Sequence, residues 1–326
     1  MEAKKSSLFL SAVTEKLFGP KMNYRLRYLH QRGHLPNFKN PKDISEILIN
    51  KMFTPPQAVR KVLARLKFSV PLYKARRGFP ILTEECLTFR TTYPICATYT
   101  PFVDKLAVRD YIEWKGLGNI LLEHYGVWSR PEDVEFDKLP EKFALKSNNG
   151  CGHHIICHDK SKLDRNHAID EMHKAILSGV LSVEPHYHSI TPRVYAEELI
   201  DVGEGNLPVD YKFTCIGGEI MDIFVATERA TSVKYCTLDL NWNPLPYIKD
   251  EYRPKKYPEK PEHLDQLAEV AKKLCKDFDF VRVDLYEYKG KPYISELTFF
   301  PWGGLMYGYN NKAIEYYGQK WHEIKH

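Results

Sequence analysis

Near the end of the chain, two runs alternate apolar and polar residues around a short break. They are Arg282-Val283-Asp284-Leu285 and Ile294-Ser295-Glu296-Leu297-Thr298, with Lys289-Gly290-Lys291 between them. Alternation of period two on both sides of a Gly-containing turn predicts a β-hairpin with one apolar and one polar face. A three-residue loop centred on Gly290 sets Asp284 directly opposite Glu296, with Cβ atoms about 5 Å apart on the same face. Two carboxylates that close repel unless a cation or a basic side chain lies between them. The fold must therefore cover one face of this hairpin with apolar side chains and compensate charge on the other. Oxygen donors of this kind suit Mg²⁺, which takes one or two carboxylates and fills its shell with water and phosphate oxygens. The alternative is an exposed edge hairpin carrying two unrelated acids.

A second element is Phe143-Ala144-Leu145-Lys146-Ser147-Asn148-Asn149-Gly150-Cys151-Gly152. A strand ends in a lysine, and a loop of small polar residues and glycines returns into Ile155-Ile156. Glycines let backbone N–H groups approach phosphate oxygens, and an ammonium at a strand end supplies a point charge for them. The loop lacks the GK[ST] ending of a Walker A motif and is not GxGxxG. Taken alone it is equally a Gly-containing hairpin with a solvated lysine. His153 and His154 are adjacent on a strand, point to opposite faces and are not paired ligands.

Around these two elements the pattern divides. Residues 1–92 carry helical periodicity at Met22–Gln31, Ile44–Phe53 and Gln57–Leu66, and read as a mainly helical N-terminal extension. Beyond it come a helix over Asp104–Lys115, strands over Lys142–Ser147 and His154–Cys157, and a helix over Leu163–Ser178. Strands follow at Arg193–Ile200, Asp210–Ile216 and Ile220–Thr227, then a helix over His263–Phe278 and the hairpin. Mixed helices and hairpins indicate an α+β protein, with a central lobe over 93–198 and a C-terminal lobe over 199–326. The aromatic stretch Tyr307–Trp321 is expected to pack back onto the body.

Composition excludes several classes. The chain has 326 residues, 43% of them hydrophobic, enough for two or three domains. Its formal charge of +5 suits anionic small molecules or an anionic membrane surface. No block of five or six Lys/Arg marks a nucleic-acid binder, and the densest basic run, Lys74-Ala75-Arg76-Arg77, reads as a solvated turn. Seven cysteines (Cys86, Cys96, Cys151, Cys157, Cys215, Cys236, Cys275) show no CxxC or CxxH pairing, so reduced thiols in a cytoplasmic protein are expected. The apolar run at Leu8-Phe9-Leu10 is too short for a signal peptide, and no segment approaches the twenty apolar residues of a membrane span. Peripheral attachment at the inner face of a membrane remains open.

Taken in order, the blocks resemble the ATP-grasp fold, and more closely its TupA-like branch, associated with bacterial surface-polysaccharide biosynthesis. The resemblance runs through Asn23-Tyr24-Arg25, Leu35-Pro36-Asn37-Phe38-Lys39-Asn40-Pro41-Lys42, Asp104-Lys105-Leu106-Ala107-Val108-Arg109-Asp110-Tyr111-Ile112 and Tyr125-Gly126-Val127-Trp128. It continues through Leu145 to Gly152, Asp210-Tyr211-Lys212-Phe213, Asp239 to Asn243, Phe280 to Tyr286 and Glu296 to Pro301.

The resemblance implies two α+β lobes closing on ATP, with Lys105 and Lys146 on its phosphates and the loop Ser147 to Gly152 (Ser147, Asn148, Gly150, Gly152) over them. It implies that Glu197, Glu198 and Leu199 follow the adenine and that Asp201 or Glu204 takes the ribose hydroxyls. Asp284 and Glu296 would hold Mg²⁺, with Thr298 where many relatives have an asparagine ligand. Arg282 would face the phosphoryl group or the acyl intermediate, with Lys212 and Arg229 as further cations. The implied activity is ATP-dependent carboxylate–amine ligation through an acyl phosphate, joining an amino acid or peptide to a uronic-acid carboxylate of a surface polysaccharide or its precursor. A phosphotransferase acting on a hydroxyl and a non-catalytic nucleotide-binding component of a biosynthetic complex are the competing readings. Oligomeric state is not legible.

Overall fold

The computed structural model describes residues 99–150, 152–180, 186–187, 190–203, 206–227, 233–299, 301 and 308–325. The expected N-terminal helices, the basic run at 74–77, Cys86, Cys96, Cys151, Glu204 and Arg229 lie outside the described residues. In chain order the elements are α1 (Thr100–Val103), α2 (Val108–Trp114), β1 (His124–Trp128), β2 (Phe143–Ser147), β3 (Ile155–Cys157), α3 (Arg165–Val180) and β4 (Val194–Glu197). They continue with β5 (Asp210–Ile216), β6 (Glu219–Thr227), β7 (Lys234–Leu238), β8 (Pro244–Leu245), α4 (Leu264–Cys275), β9 (Phe280–Tyr288), β10 (Lys291–Thr298) and α5 (Asn311–Lys325).

Two antiparallel sheets result, a four-stranded one ordered β1-β4-β2-β3 and a six-stranded one ordered β10-β9-β5-β6-β7-β8. In the first, period-two alternation sends Phe143, Leu145, Val194 and Ala196 into a core with Ala168, Met172 and Ala175 of α3. The opposite face of the same strands carries Ala144, Lys146 and Glu197, which line a cleft. In the second sheet, α4 buries Leu264, Leu267, Ala268, Ala271 and Leu274, a one-sided helical stripe. They share a core with Phe213, Cys215, Val281, Val283 and Leu285. The other face of β5 and β9 therefore carries Asp210, Lys212, Thr214, Arg282 and Asp284. Part of that face is closed by α5, whose Trp321 ring lies 5.5 Å from the Phe280 ring.

The hairpin differs in detail from the sequence expectation. Tyr288 pairs with Lys291, so the loop has two residues, Lys289 and Gly290, at φ 50° and 71°. Two consecutive positive φ values match the twist of flanking strands, which favours this tight turn over a longer one. A bulge at Ser295 adds back one residue, and Glu296 faces Asp284 as expected. The helix expected from Asp104 begins at Val108, because Asp104 turns its carboxylate onto the N–H groups of Leu106 (2.9 Å) and Ala107 (3.4 Å). Cys157, Cys215, Cys236 and Cys275 are buried free thiols. No described helix is long and apolar enough to cross a membrane.

Candidate active site

Register aligns the polar side chains of the second sheet into rows across its strands. One row runs Thr298, Arg282, Thr214, Asp222; the next runs Glu296, Asp284, Lys212, Phe224; a third pairs Tyr286 with Asp210. Asp284 is fully buried and accepts hydrogen bonds from Lys212 Nζ (2.6 Å), Arg282 Nε (2.7 Å) and Arg282 Nη2 (2.6 Å). Arg282 Nη2 also lies 3.7 Å from Glu296 and donates to Thr298 Oγ1 at 3.2 Å. Lys212 bridges Asp284 to Asp210. Basic side chains thus accompany the acid pair.

Burial opposes the charge on Glu296, but Lys105, Lys212 and Arg282 outweigh it and hold the carboxyl down at about 2. Asp210 goes the other way, to about 6, because burial and the Asp284 charge prevail over Lys212. Asp210 Oδ1 is buried and has no hydrogen-bond partner among the described residues.

The first sheet supplies the opposing wall. Lys146 Nζ lies 2.5 Å from Glu197 Oε1. Burial penalises the Lys146 ammonium, and Glu197 more than compensates, raising its pKa. Glu197 itself falls to about 2, since the Lys146 ammonium outweighs its desolvation. Lys105 donates to the Gly150 carbonyl at 2.7 Å and stands 3.6 Å from Glu296, so one ammonium spans both walls. Between the walls lies a cleft of about 250 Å³ lined by Lys105, Lys146, Ser147, Gly150, Gly152, Glu197, Glu198, Leu199, Asp210, Tyr286 and Glu296.

The glycine loop is pinned at its base to α3. A Cβ on Gly179 would stand 1.9 Å from the Asn149 carbonyl oxygen, and one on Gly150 would stand 2.5 Å from the Ala175 oxygen. Glycine is required at these close approaches whatever the ligand.

Among the expected contact residues, Asn148 does not turn toward the cleft. Its amide donates to Asp104 (2.9 Å) and the Thr191 carbonyl (3.2 Å), its Oδ1 accepts from Arg193 N (2.8 Å), and its backbone pairs with Lys105 and Arg193. It is a structural latch. Asp201 is held by Lys142 at 2.6 Å and His158 at 3.3 Å and is not among the lining residues. Asp210 was missed: its signal was a carboxylate two residues before Lys212 on a predicted strand, hence on the same face. Along β9 and β10, Asp284 faces Glu296 with Thr298 beside them, hard oxygen donors of the kind Mg²⁺ takes. Among the described residues no three His, Cys, Asp or Glu side chains form a protein-only cage.

Comparison with known proteins gives one strong match. The sequence profile of the TupA-like ATP-grasp family matches residues 85–322. No curated protein matches the chain significantly. Among solved structures, the D-alanine–D-alanine ligase of Bacillus anthracis is similar at 15% identity and TM-score 0.42, covering 73% of this chain and 74% of that one. The Helicobacter pylori D-alanine–D-alanine ligase is similar at 13% identity and TM-score 0.38, over 71% and 68% of the two chains. A D-cycloserine synthetase is similar at 12% identity and TM-score 0.39, over 71% and 72%.

Proposed function

This chain belongs to the TupA-like ATP-grasp family, and from that premise we propose that it is an ATP- and Mg²⁺-dependent carboxylate–amine ligase. One observation supports this reading above the others: Lys105 and Lys146 line a single cleft with Glu296, and behind Glu296 stand its strand partner Asp284 and the Arg282 and Lys212 that hold it. A phosphate chain laid along the cleft would run from the Lys146 end toward Arg282. Asp284 and Glu296, with Thr298, would hold Mg²⁺, which would neutralise charge on the phosphate oxygens.

The chain's own residues carry the rest of the chemistry. Lys105 and Lys146 bind phosphate oxygens as point charges, and the loop from Ser147 to Gly152 closes over them and excludes water. Leu199 and the backbone of Glu197 and Glu198 border the adenine, and Asp210 replaces Asp201 as the acid available inside the cleft. When an acceptor carboxylate takes the γ-phosphoryl group, charge builds on the transferring oxygens, where Lys212 and Arg282 stabilise it. An amine then attacks the acyl carbon, Arg282 stabilises the oxyanion, and phosphate leaves. Exclusion of water protects the acyl phosphate between the two steps.

By the family association, the acceptors are an amino acid or peptide and a uronic-acid carboxylate of a surface polysaccharide or its precursor, and the protein works in the cytoplasm. The test is ADP release with Mg-ATP and paired candidate substrates. Release that requires both a carboxylate and an amine supports ligation; release driven by a sugar hydroxyl alone, with a phosphorylated sugar as product, would replace it with phosphotransfer.

A further inference from the structure

Lys146 is not held by Glu197 alone, and the support behind Glu197 has no part in the reading above. Arg109, in the segment between Asp104 and Ile112, donates from Nη1 to the Leu122 carbonyl at 3.0 Å and lies 3.1 Å from His124 Nε2. Guanidinium nitrogens only donate, so this contact makes His124 Nε2 an acceptor and puts the ring proton on Nδ1. His124 Nε2 stands 3.7 Å from Glu197 Oε2 with no proton to give it, while Glu197 Oε1 meets Lys146 at 2.5 Å. The ring is braced by Tyr195, 5.0 Å away and tilted 38°. The groups facing this line are Arg109 from α2, Tyr195 and Glu197 from β4 and Lys146 from β2, with Tyr286 and Glu296 acting on Lys146 from the second sheet.

We propose that Arg109 and His124 are positioning residues that reserve the Glu197 carboxylate for Lys146, and so fix the ammonium that reads the nucleotide phosphates. The proposal rests on the nucleotide reading of the cleft. His124 separates two cations that would otherwise compete for one carboxylate. Without its acceptor nitrogen, Arg109 falls onto Glu197 and displaces Lys146. Without Arg109, His124 is free to carry its proton on Nε2 and donate to Glu197, again dividing the carboxylate. In both cases Lys146 loses the partner that maintains its charge and direction in a desolvated site. The consequence is confined to ligands that carry phosphate.

The experiment compares dissociation constants for Mg-ADP and for adenosine by calorimetry on the full chain. The variants are Arg109→Ala, His124→Leu, His124→Gln and Lys146→Met, each checked by thermal melting. Arg109→Ala and His124→Leu should weaken ADP about tenfold, the worth of one charge-assisted contact, and leave adenosine within about twofold. His124→Gln, which places an amide oxygen near the site of Nε2, should restore ADP binding. Should Arg109→Ala fail to fold, because it also loses the Leu122 contact, the two His124 variants decide the matter.

Equal loss of ADP and adenosine in His124→Leu, or no recovery in His124→Gln, would overturn the proposal in favour of a merely structural role. Lys146→Met separates the two levels. If it loses ADP selectively while His124→Leu does not, only the positioning role fails. If it leaves the preference for ADP intact, the nucleotide assignment fails with it.

Discussion

Asp284→Asn and Glu296→Gln should be indistinguishable in activity and clearly different in stability. Asp284 is fully buried under three charge-assisted hydrogen bonds from Lys212 and Arg282, at 2.6–2.7 Å. Removing one partner of such a buried cluster costs about 3–5 kcal/mol. Here the asparagine oxygen keeps one acceptor, and Asp210 and Glu296 remain to take up the cations. A net loss of about 2–3 kcal/mol follows, or roughly 4–12 °C in melting temperature at about 2–4 °C per kcal/mol. Glu296 is 29% exposed, and its two cations stand 3.6 and 3.7 Å away, beyond direct hydrogen bonding. Its neutralisation should cost clearly less than that of Asp284, because glutamine keeps an oxygen for Thr298 and gives up only the longer ion pairs.

Both variants nevertheless remove one of the two facing oxygen ligands proposed for Mg²⁺, so Mg-dependent ADP release should fall at least about 10³-fold in each, the scale of a lost electrostatic contact at a reacting phosphate. Scanning calorimetry and an ADP-release assay on the same samples give both numbers. Glu296→Gln melting as far down as Asp284→Asn, or either variant retaining full turnover, would refute the reasoning.

Further outcomes follow from individual contacts. Asp222 accepts from Tyr317 at 2.6 Å and Tyr309 at 3.3 Å, and burial lifts it to about 6. A folded-state pKa above the unfolded 3.8 stabilises the fold below pH 3.8, and that contribution is lost as pH rises through about 6. Asp222→Asn should therefore flatten the decline of melting temperature between about pH 4 and 6; an unchanged slope would show that Asp222 is not the group responsible. Glu197 and Glu296, both held near 2 against an ordinary 4.5, act in the opposite sense. Their stabilisation is present above pH 4.5 and lost as pH falls through about 2, measurable as steepened acid unfolding that Glu296→Gln blunts. Gly179→Ala would drive a Cβ to 1.9 Å from the Asn149 carbonyl, and should cost about 1–3 kcal/mol and raise KM for ATP more than it lowers kcat. Chelation of divalent metal should abolish ADP release, and Mg²⁺ should restore it.

The parts of the fold legible in the sequence are those where one short-range pattern suffices. The β5 run alternates without interruption, and Asp210–Ile216 has the bounds expected for it. The facing of Asp284 and Glu296 was also legible, although by different geometry: a two-residue turn plus a bulge gives the same pairing as a three-residue loop. The strand β1 is interrupted at Tyr125 by an irregular register and shows no alternation to find. Long-range partners were invisible in principle. A loop asparagine aimed at a phosphate and one aimed at Asp104, 44 residues earlier, look alike in sequence. The same holds for Lys212, whose partner Asp284 lies 72 residues on. Nor does the sequence distinguish Asp210, which lines the cleft, from Asp201, which is engaged by Lys142 and His158.

The most direct test of the ligase reading is trapping of the activated carboxylate. Protein, Mg-ATP and a panel of uronic acids, polysaccharide fragments and amino acids are incubated with hydroxylamine, and hydroxamate and ADP are measured together. The account predicts hydroxamate and ADP in equal amounts, both lost in Asp284→Asn. ADP formed with no hydroxamate, alongside a phosphorylated hydroxyl product, would contradict it.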